Sequence, residues 1–283
     1  MTKWLSGKLY HLYHCPTCGA GFVRPLPTPQ ELELFYGETY WSPHEMEARA
    51  AESPVHPDVG WTVGLIRAFC PEARTVCDAG CGIGTLLNGL TAEGFQARGW
   101  DLSEKAVGFA RARFGLDVRV GGVECAGDDQ FDVLIMRHVI EHSLRPLQDL
   151  TRAVEGLSPG GIVILVTPNY GSLASRVFER YWEWFTPPAH LYYYSRRAIR
   201  HLAHSLQLLI AYEETRKGDA RSLPHEWEHN AGLFRVIHWR RYAALRATYP
   251  LVRRFYPSLA SFLNNHGLGE ELVIVLRRCG DLP

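Results

Sequence analysis

Between residues 74 and 167, short apolar runs alternate with stretches in which apolar residues recur every three or four positions. Val76 and Cys77 open the first run, which ends in the acid Asp78. A helix with Leu86, Leu87 and Leu90 on one face follows. The second run, Phe95–Trp100, stops at Asp101. Ser103 then caps a helix through Arg113, which Gly115 closes. Phe131–Met136 and Ile162–Thr167 form two further apolar runs. Between them Leu147, Leu150, Val154 and Leu157 stand at helical spacing, and Ser158-Pro159-Gly160-Gly161 predicts the turn into the later run. Strands alternating with helices predict an α/β fold with a parallel, doubly wound sheet.

Outside this region the pattern predicts a short helix over Pro29–Tyr36 ending at Gly37, and a longer one over Pro57–Phe69. Ser195 caps a helix carrying Ile199, Leu202 and Leu206. Leu208–Thr215 and Glu271–Arg277 read as two more strands. The resulting domain expectation is an N-terminal appendage over 1–56, a core over 57–216, a helical insertion over 217–269 and a closing strand over 270–283.

The candidate chemistry starts at Asp78-Ala79-Gly80-Cys81-Gly82-Ile83-Gly84, between the first strand and its helix. Glycine permits a tight turn and close approach of backbone to a ligand. The helix start behind it presents unpaired N–H groups. A dinucleotide fingerprint would place its third glycine or an alanine where Thr85 stands; here the third glycine, Gly84, comes one place earlier. Asp-x-Gly-x-Gly-x-Gly resembles the first motif of the class I S-adenosylmethionine-dependent methyltransferases. The segment from Phe131 to His142, with Phe131-Asp132-Val133 leading to Glu141-His142, and Leu157-Ser158-Pro159-Gly160-Gly161 before an apolar strand are similar to further landmarks of that family. The likeness covers Arg74–Thr167 and weakens outside it.

The resemblance implies a Rossmann-like sheet of seven strands, six parallel and the last antiparallel, with helices on both faces. It implies S-adenosylmethionine as cofactor, with Asp78, Gly80, Cys81, Gly82 and Gly84 shaping its turn. Asp101 would accept the ribose hydroxyls, since one carboxylate offers acceptors to two donors, and Leu102, Val123, Glu124 and Arg137 would line the site. The activity implied is methyl transfer to a small organic acceptor, with O-methylation preferred and a sugar or secondary metabolite as the acceptor class, the setting being natural product biosynthesis. The alternative is a non-methylating protein of the same fold, such as a cyclase, a decarboxylase or a scaffold; an NAD-linked oxidoreductase ranks below that.

Methylating a hydroxyl requires a base, and histidine suits that role near neutral pH. His190 is the first candidate, because it lies in an aromatic loop with Trp182, Trp184, Phe185 and Tyr192; His138 and His142 are the others. His138-Val139-Ile140-Glu141-His142 also spells an inverted zinc-protease motif, whose two histidines would share a helix face. Its place directly after a parallel strand argues against proteolysis. Tyr36, Tyr40 and Trp41 are candidates for a lid over the cofactor.

Cys15-Pro16-Thr17-Cys18-Gly19 has the local sequence of a zinc knuckle, but structural zinc takes four ligands, so Cys15 and Cys18 are candidate metal ligands in an incomplete set and the metal-free reading is preferred. Seven cysteines, an odd number in 283 residues, do not read as a disulfide framework. Zero formal net charge argues against a general nucleic-acid binder. No apolar run reaches transmembrane length, and Met1–Lys8 lacks the apolar core of a signal peptide, so the expectation is a cytoplasmic protein without a membrane partner. In the insertion, Arg235, Arg240, Arg241, Arg246, Arg253 and Arg254 interleave with aromatic residues. That pattern reads as an amphipathic helix with an aromatic face suited to a homodimer.

Overall fold

The computed structural model describes residues 2–5, 8–36, 41–126, 130–216 and 260–278. Gly37, Tyr40 and the arginine-rich segment over 217–259 lie outside the described residues. The chain divides into two compact units. One comprises Met1–Pro25, Thr167–Ile199 and Glu213–Val273; the other comprises Leu26–Val166, Arg200–Tyr212 and Ile274–Pro283. This division differs from the boundaries expected at 56/57 and 216/217. Strand pairing draws residues after Thr167 to the N-terminal strands. Met46 and Ala50, from the expected appendage, are buried against Ile83 and Ala106.

The larger unit is built on the seven-stranded sheet, ordered β10(Leu208–Arg216)-β11(Glu271–Arg278)-β8(Leu157–Pro168)-β7(Phe131–Arg137)-β4(Thr75–Ala79)-β5(Gln96–Asp101)-β6(Asp117–Val120). Strands β6, β5, β4, β7 and β8 pair in parallel, and antiparallel pairing is confined to the last strands. Strands β8, β10 and β11 straddle the division between the units. Strand β4 is the middle of the five parallel strands, with β5 on one side and β7 on the other, so the chain reverses its winding direction there. That reversal opens a crevice beyond the carboxyl ends of these strands.

The central strands are apolar along almost their whole length, as burial on both faces requires: Val133, Leu134, Val163, Ile164 and Leu165 have no exposed surface. Helices α3 (Val59–Phe69), α4 (Thr85–Ala92), α5 (Glu104–Phe114) and α6 (Pro146–Glu155) belong to this unit. Helix α5 starts at Ser103, whose side chain accepts from the Ala106 N–H, and ends at Gly115 in the left-handed conformation, as the sequence pattern predicts. Two expectations are corrected. Leu147 is exposed and Leu157 already belongs to β8, so the buried face of α6 is carried by Leu150, Ala153 and Val154. Ser158–Gly161 does not precede the strand but interrupts it. Phe131 pairs with Leu157 and Val133 with Ile162, so these four residues form a bulge, with Gly160 at φ 77°.

The smaller unit holds a four-stranded sheet, β1(Thr2–Leu5)-β2(Lys8–His14)-β3(Gly21–Arg24)-β9(Tyr192–Tyr193). The β3–β9 register places Gly21 opposite Tyr193 and Phe22 opposite Tyr192.

Candidate active site

The turn after β4 takes its shape from three glycines with positive φ: Gly80 at 68°, Gly82 at 54° and Gly84 at 80°. Space and conformation both demand glycine there. A Cβ at Gly80 would lie 2.6 Å from Val139 Cγ2, and one at Gly84 would lie 2.5 Å from Leu116 Cδ1. The Gly80 and Cys81 amides donate to the Trp100 carbonyl at 2.7 and 3.0 Å, tying the turn to β5.

Asp101 closes β5 and faces this turn. Its Oδ2 accepts from the Gly82 N–H and its Oδ1 from the Ser103 N–H, each at 2.8 Å. Each oxygen keeps a second lone pair, the arrangement needed to receive two adjacent hydroxyls. Burial raises the Asp101 carboxyl above the usual carboxylate range, and the two N–H donors oppose that shift. Leu102, the next residue, is 60% exposed. A large apolar side chain held open beside such an acid is suited to cover a flat ring. Val123 and Glu124 stand in a single turn of 3₁₀ helix after β6, where the Glu124 carboxylate accepts from the Gly122 N–H at 2.7 Å.

Asp78 is buried at the end of β4. Burial pushes its carboxyl up to about 8, with the Asp101 charge adding to the rise and Arg137 opposing it. Arg137 pairs with Asp58, a partner that the sequence reading did not single out; its only local mark is its place directly before α3. Cys77 and Cys81 are buried thiols, and burial pushes both upward, Cys77 to about 12. They are packing groups, not nucleophiles.

The segment after β7 does not form the helix that a shared histidine face would need. His138 adopts φ 52°, and only Ile140–His142 form a 3₁₀ turn. The left-handed residue breaks the i, i+4 register. His138 Nδ1 meets the buried Glu141 Oε1 at 3.3 Å, and His142 Nδ1 meets the Tyr36 hydroxyl at 2.8 Å. Trp41 lies over the glycine turn, with its Cζ2 3.2 Å from where a Gly82 Cβ would be. The Arg49 guanidinium lies 5.2 Å from the Trp41 ring centroid.

His190 is assigned to the smaller unit, and His138 and His142 to the larger. It is buried, its Nδ1 donates to the Trp184 carbonyl at 2.7 Å, and its ring stacks on Trp184 at 5.7 Å and 12°. The neighbouring aromatic residues are core rather than open walls: Trp182, Phe185 and Tyr193 are at most 2% exposed. Cys15 and Cys18 sit in the β2–β3 connection, a knuckle in which the Gly19 N–H donates to the Cys15 carbonyl at 2.8 Å and Gly19 has φ 79°. The Cys18 backbone N–H lowers the Cys15 thiol, whereas burial raises that of Cys18.

Comparison with known proteins adds three findings. The model of a family described as "Methyltransferase domain" matches residues 60–211. A ubiquinone biosynthesis O-methyltransferase of Azoarcus sp. is 31% identical over 153 residues, covering 50% of this chain and 63% of that protein; the match thus spans less than two thirds of the relative's length. Among solved structures, a SAM-dependent methyltransferase from Archaeoglobus fulgidus superposes with a TM-score of 0.52 at 16% identity, covering 84% of this chain and all of the other. The [4+2]-cyclase SpnF superposes with a TM-score of 0.57 at 15% identity, covering 90% and 98%. At such identities the two structures share the fold.

Proposed function

This chain belongs to the class I S-adenosylmethionine-dependent methyltransferase family, and we propose that it transfers a methyl group to an oxygen of a small organic acceptor. The observation that carries this reading is the hydrogen bond between the Gly82 amide and Asp101 Oδ2. It joins the positive-φ glycine turn and a two-oxygen acceptor in one site, with the exposed Leu102 beside them. The name of the Azoarcus relative favours oxygen as the methylated atom.

The cofactor fits this chain's own groups. Asp101 receives the ribose hydroxyls, Leu102 and Val123 flank the adenine, and the amides behind Gly80, Gly82 and Gly84 lie where backbone can come close. Glu124 and Arg137 border the same site. When bound, S-adenosylmethionine supplies an electrophilic methyl group on a sulfonium, so the protein's task is alignment and exclusion of water. Removing the acceptor's proton falls to the histidines after β7, His138 and His142, in the unit that carries the turn. His190 is assigned the role of fixing its own loop through the Trp184 carbonyl. Cys15 and Cys18 are assigned to the turn they stabilise, with zinc the less favoured reading: among the described residues no third histidine, cysteine or carboxylate stands with them. Among the described residues no helix is long and apolar enough to cross a membrane. A small-molecule partner and a cytoplasmic setting belong to this proposal, as does a homodimer, for which the sequence singles out a segment that lies largely outside the described residues.

Calorimetric titration with S-adenosylhomocysteine and, separately, with NAD tests the assignment. Saturable binding of the first and none of the second is expected. Retention of NAD with no affinity for S-adenosylhomocysteine would overturn it. Methyl transfer to a panel of phenols and sugars then separates a transferase from a cyclase of the same fold.

A further inference from the structure

Tyr36 and His142 are 106 positions apart and meet through the phenol oxygen and Nδ1 at 2.8 Å. Their rings stand edge to face, with centroids 6.1 Å apart and an interplanar angle of 74°. Neither side is held loosely. Tyr36 follows α1 (Pro29–Leu34), whose start is locked by a capping box between Thr28 and Glu31, and it packs edge-on against Phe35 at 5.2 Å. The His142 amide donates to the Val139 carbonyl at 3.0 Å. The Val139 side chain in turn fills the space that a Gly80 Cβ would take. A phenol and an imidazole are thereby fastened to the glycine turn from two distant parts of the chain.

The chemistry of the pair sets the direction of its hydrogen bond. A phenol is the stronger donor of the two, and a neutral imidazole nitrogen is the stronger acceptor. The bond therefore runs from the Tyr36 O–H to His142 Nδ1, and it fixes the His142 proton on Nε2. We infer that Tyr36 and His142 form a proton relay in which the phenol oxygen, not the imidazole, touches the acceptor. This rests on the methyltransferase reading above. The acceptor's O–H bond breaks as its proton passes to Tyr36 Oη, and the electron pair stays on the acceptor oxygen. In the same event the Tyr36 proton passes to His142 Nδ1. The resulting imidazolium, protonated on both nitrogens, then gives one proton to solvent, and Tyr36 ends as it began.

Two measurements on the full chain test the relay without a known acceptor. The first uses protein labelled with ¹⁵N-histidine, with His142 assigned by its loss in His142→Gln. Long-range proton–nitrogen spectra are expected to show His142 protonated on Nε2 with Nδ1 accepting, and to show a mixture of tautomers in Tyr36→Phe. A wild-type His142 carrying its proton on Nδ1 would overturn the inference without recourse to any variant. The second is nitration by tetranitromethane, which attacks the phenolate. Peptide mapping should show Tyr36 modified at least fivefold faster in the wild type than in His142→Gln, with the exposed Tyr13 unchanged. Equal Tyr36 rates in the two proteins would sink the relay. Titration with S-adenosylhomocysteine on the same samples keeps the two claims apart. Normal binding with either adverse result above removes the relay alone, whereas absent binding to the wild type removes the methyltransferase reading.

Discussion

The Gly82 amide donates to Asp101 Oδ2 at 2.8 Å, so the turn that ends β4 and the acid that ends β5 form one hydrogen-bonded piece. Replacing Asp101 by Asn removes an anionic acceptor and puts an N–H₂ group where one oxygen stood. Each hydrogen bond to a charged group contributes about 1.5–3 kcal/mol. Asp101→Asn should accordingly weaken S-adenosylhomocysteine binding by roughly 10- to 100-fold. Calorimetry decides this, and unchanged affinity would remove Asp101 from the ribose role.

Trp41 covers the same turn. It also packs on the cluster of Met46, Ala50, Ile83 and Ala106. If it walls the cofactor, Trp41→Ala should weaken S-adenosylhomocysteine binding about tenfold, in line with the ~1.5 kcal/mol upper range for a well-placed aromatic contact. Trp41→Phe should lose less. A normal dissociation constant in Trp41→Ala would leave Trp41 as packing for α2 (Pro43–Glu52) only.

Gly84 and Gly108 provide a matched pair. Gly84 has φ 80°, and an added Cβ would meet Leu116 and Ala110; Gly108 lies in α5 with nothing within 4 Å of such a Cβ. Gly84→Ala should cost about 2–4 kcal/mol from left-handed strain and overpacking together. Gly108→Ala should be neutral or stabilise by up to ~1 kcal/mol through helix propensity. Urea unfolding midpoints check both, and a stable Gly84→Ala protein would contradict the crowding described for the turn.

Asp78 makes stability depend on pH. Its carboxyl is raised by burial from 3.8 to about 8. Between those values the folded protein holds a proton that the unfolded chain has released. Stability attributable to Asp78 must then fall as pH rises from about 4 towards 8, because the folded state binds the extra proton. Asp78→Asn, which cannot ionise, should flatten that fall. Unfolding midpoints of the ligand-free protein at pH 5 and pH 8 measure it, and identical slopes in both proteins would show that Asp78 is ionised throughout.

Much of the site was legible locally. Three glycines at alternate positions marked a tight turn, which the structure forms with positive φ at all three, and Ser103 three residues before Ala106 marked a helix start that the structure bears out. The errors arose where local pattern was ambiguous. Ser158–Gly161 had the composition of a turn, but pairing on both sides made it a bulge. His138 and His142 had helical spacing, but His138 itself is left-handed, so the two share no helix face. Trp182 and Phe185 had the composition of a pocket wall and became core, because aromatic residues bury their area wherever neighbours allow.

The chain's own order of residues determined the alternation of strands and helices, the glycine turn and the acid one strand later. Those features follow from sterics and periodicity within a few residues of each position. Tertiary structure alone decided that Tyr36 meets His142, that Trp41 stands over Gly82, that Asp58 pairs with Arg137 and that Gly21 lies opposite Tyr193. These contacts join positions tens to more than a hundred residues apart. Which distant side chains meet is set by how apolar faces pack and by which strand edges pair, and no local pattern carries that information.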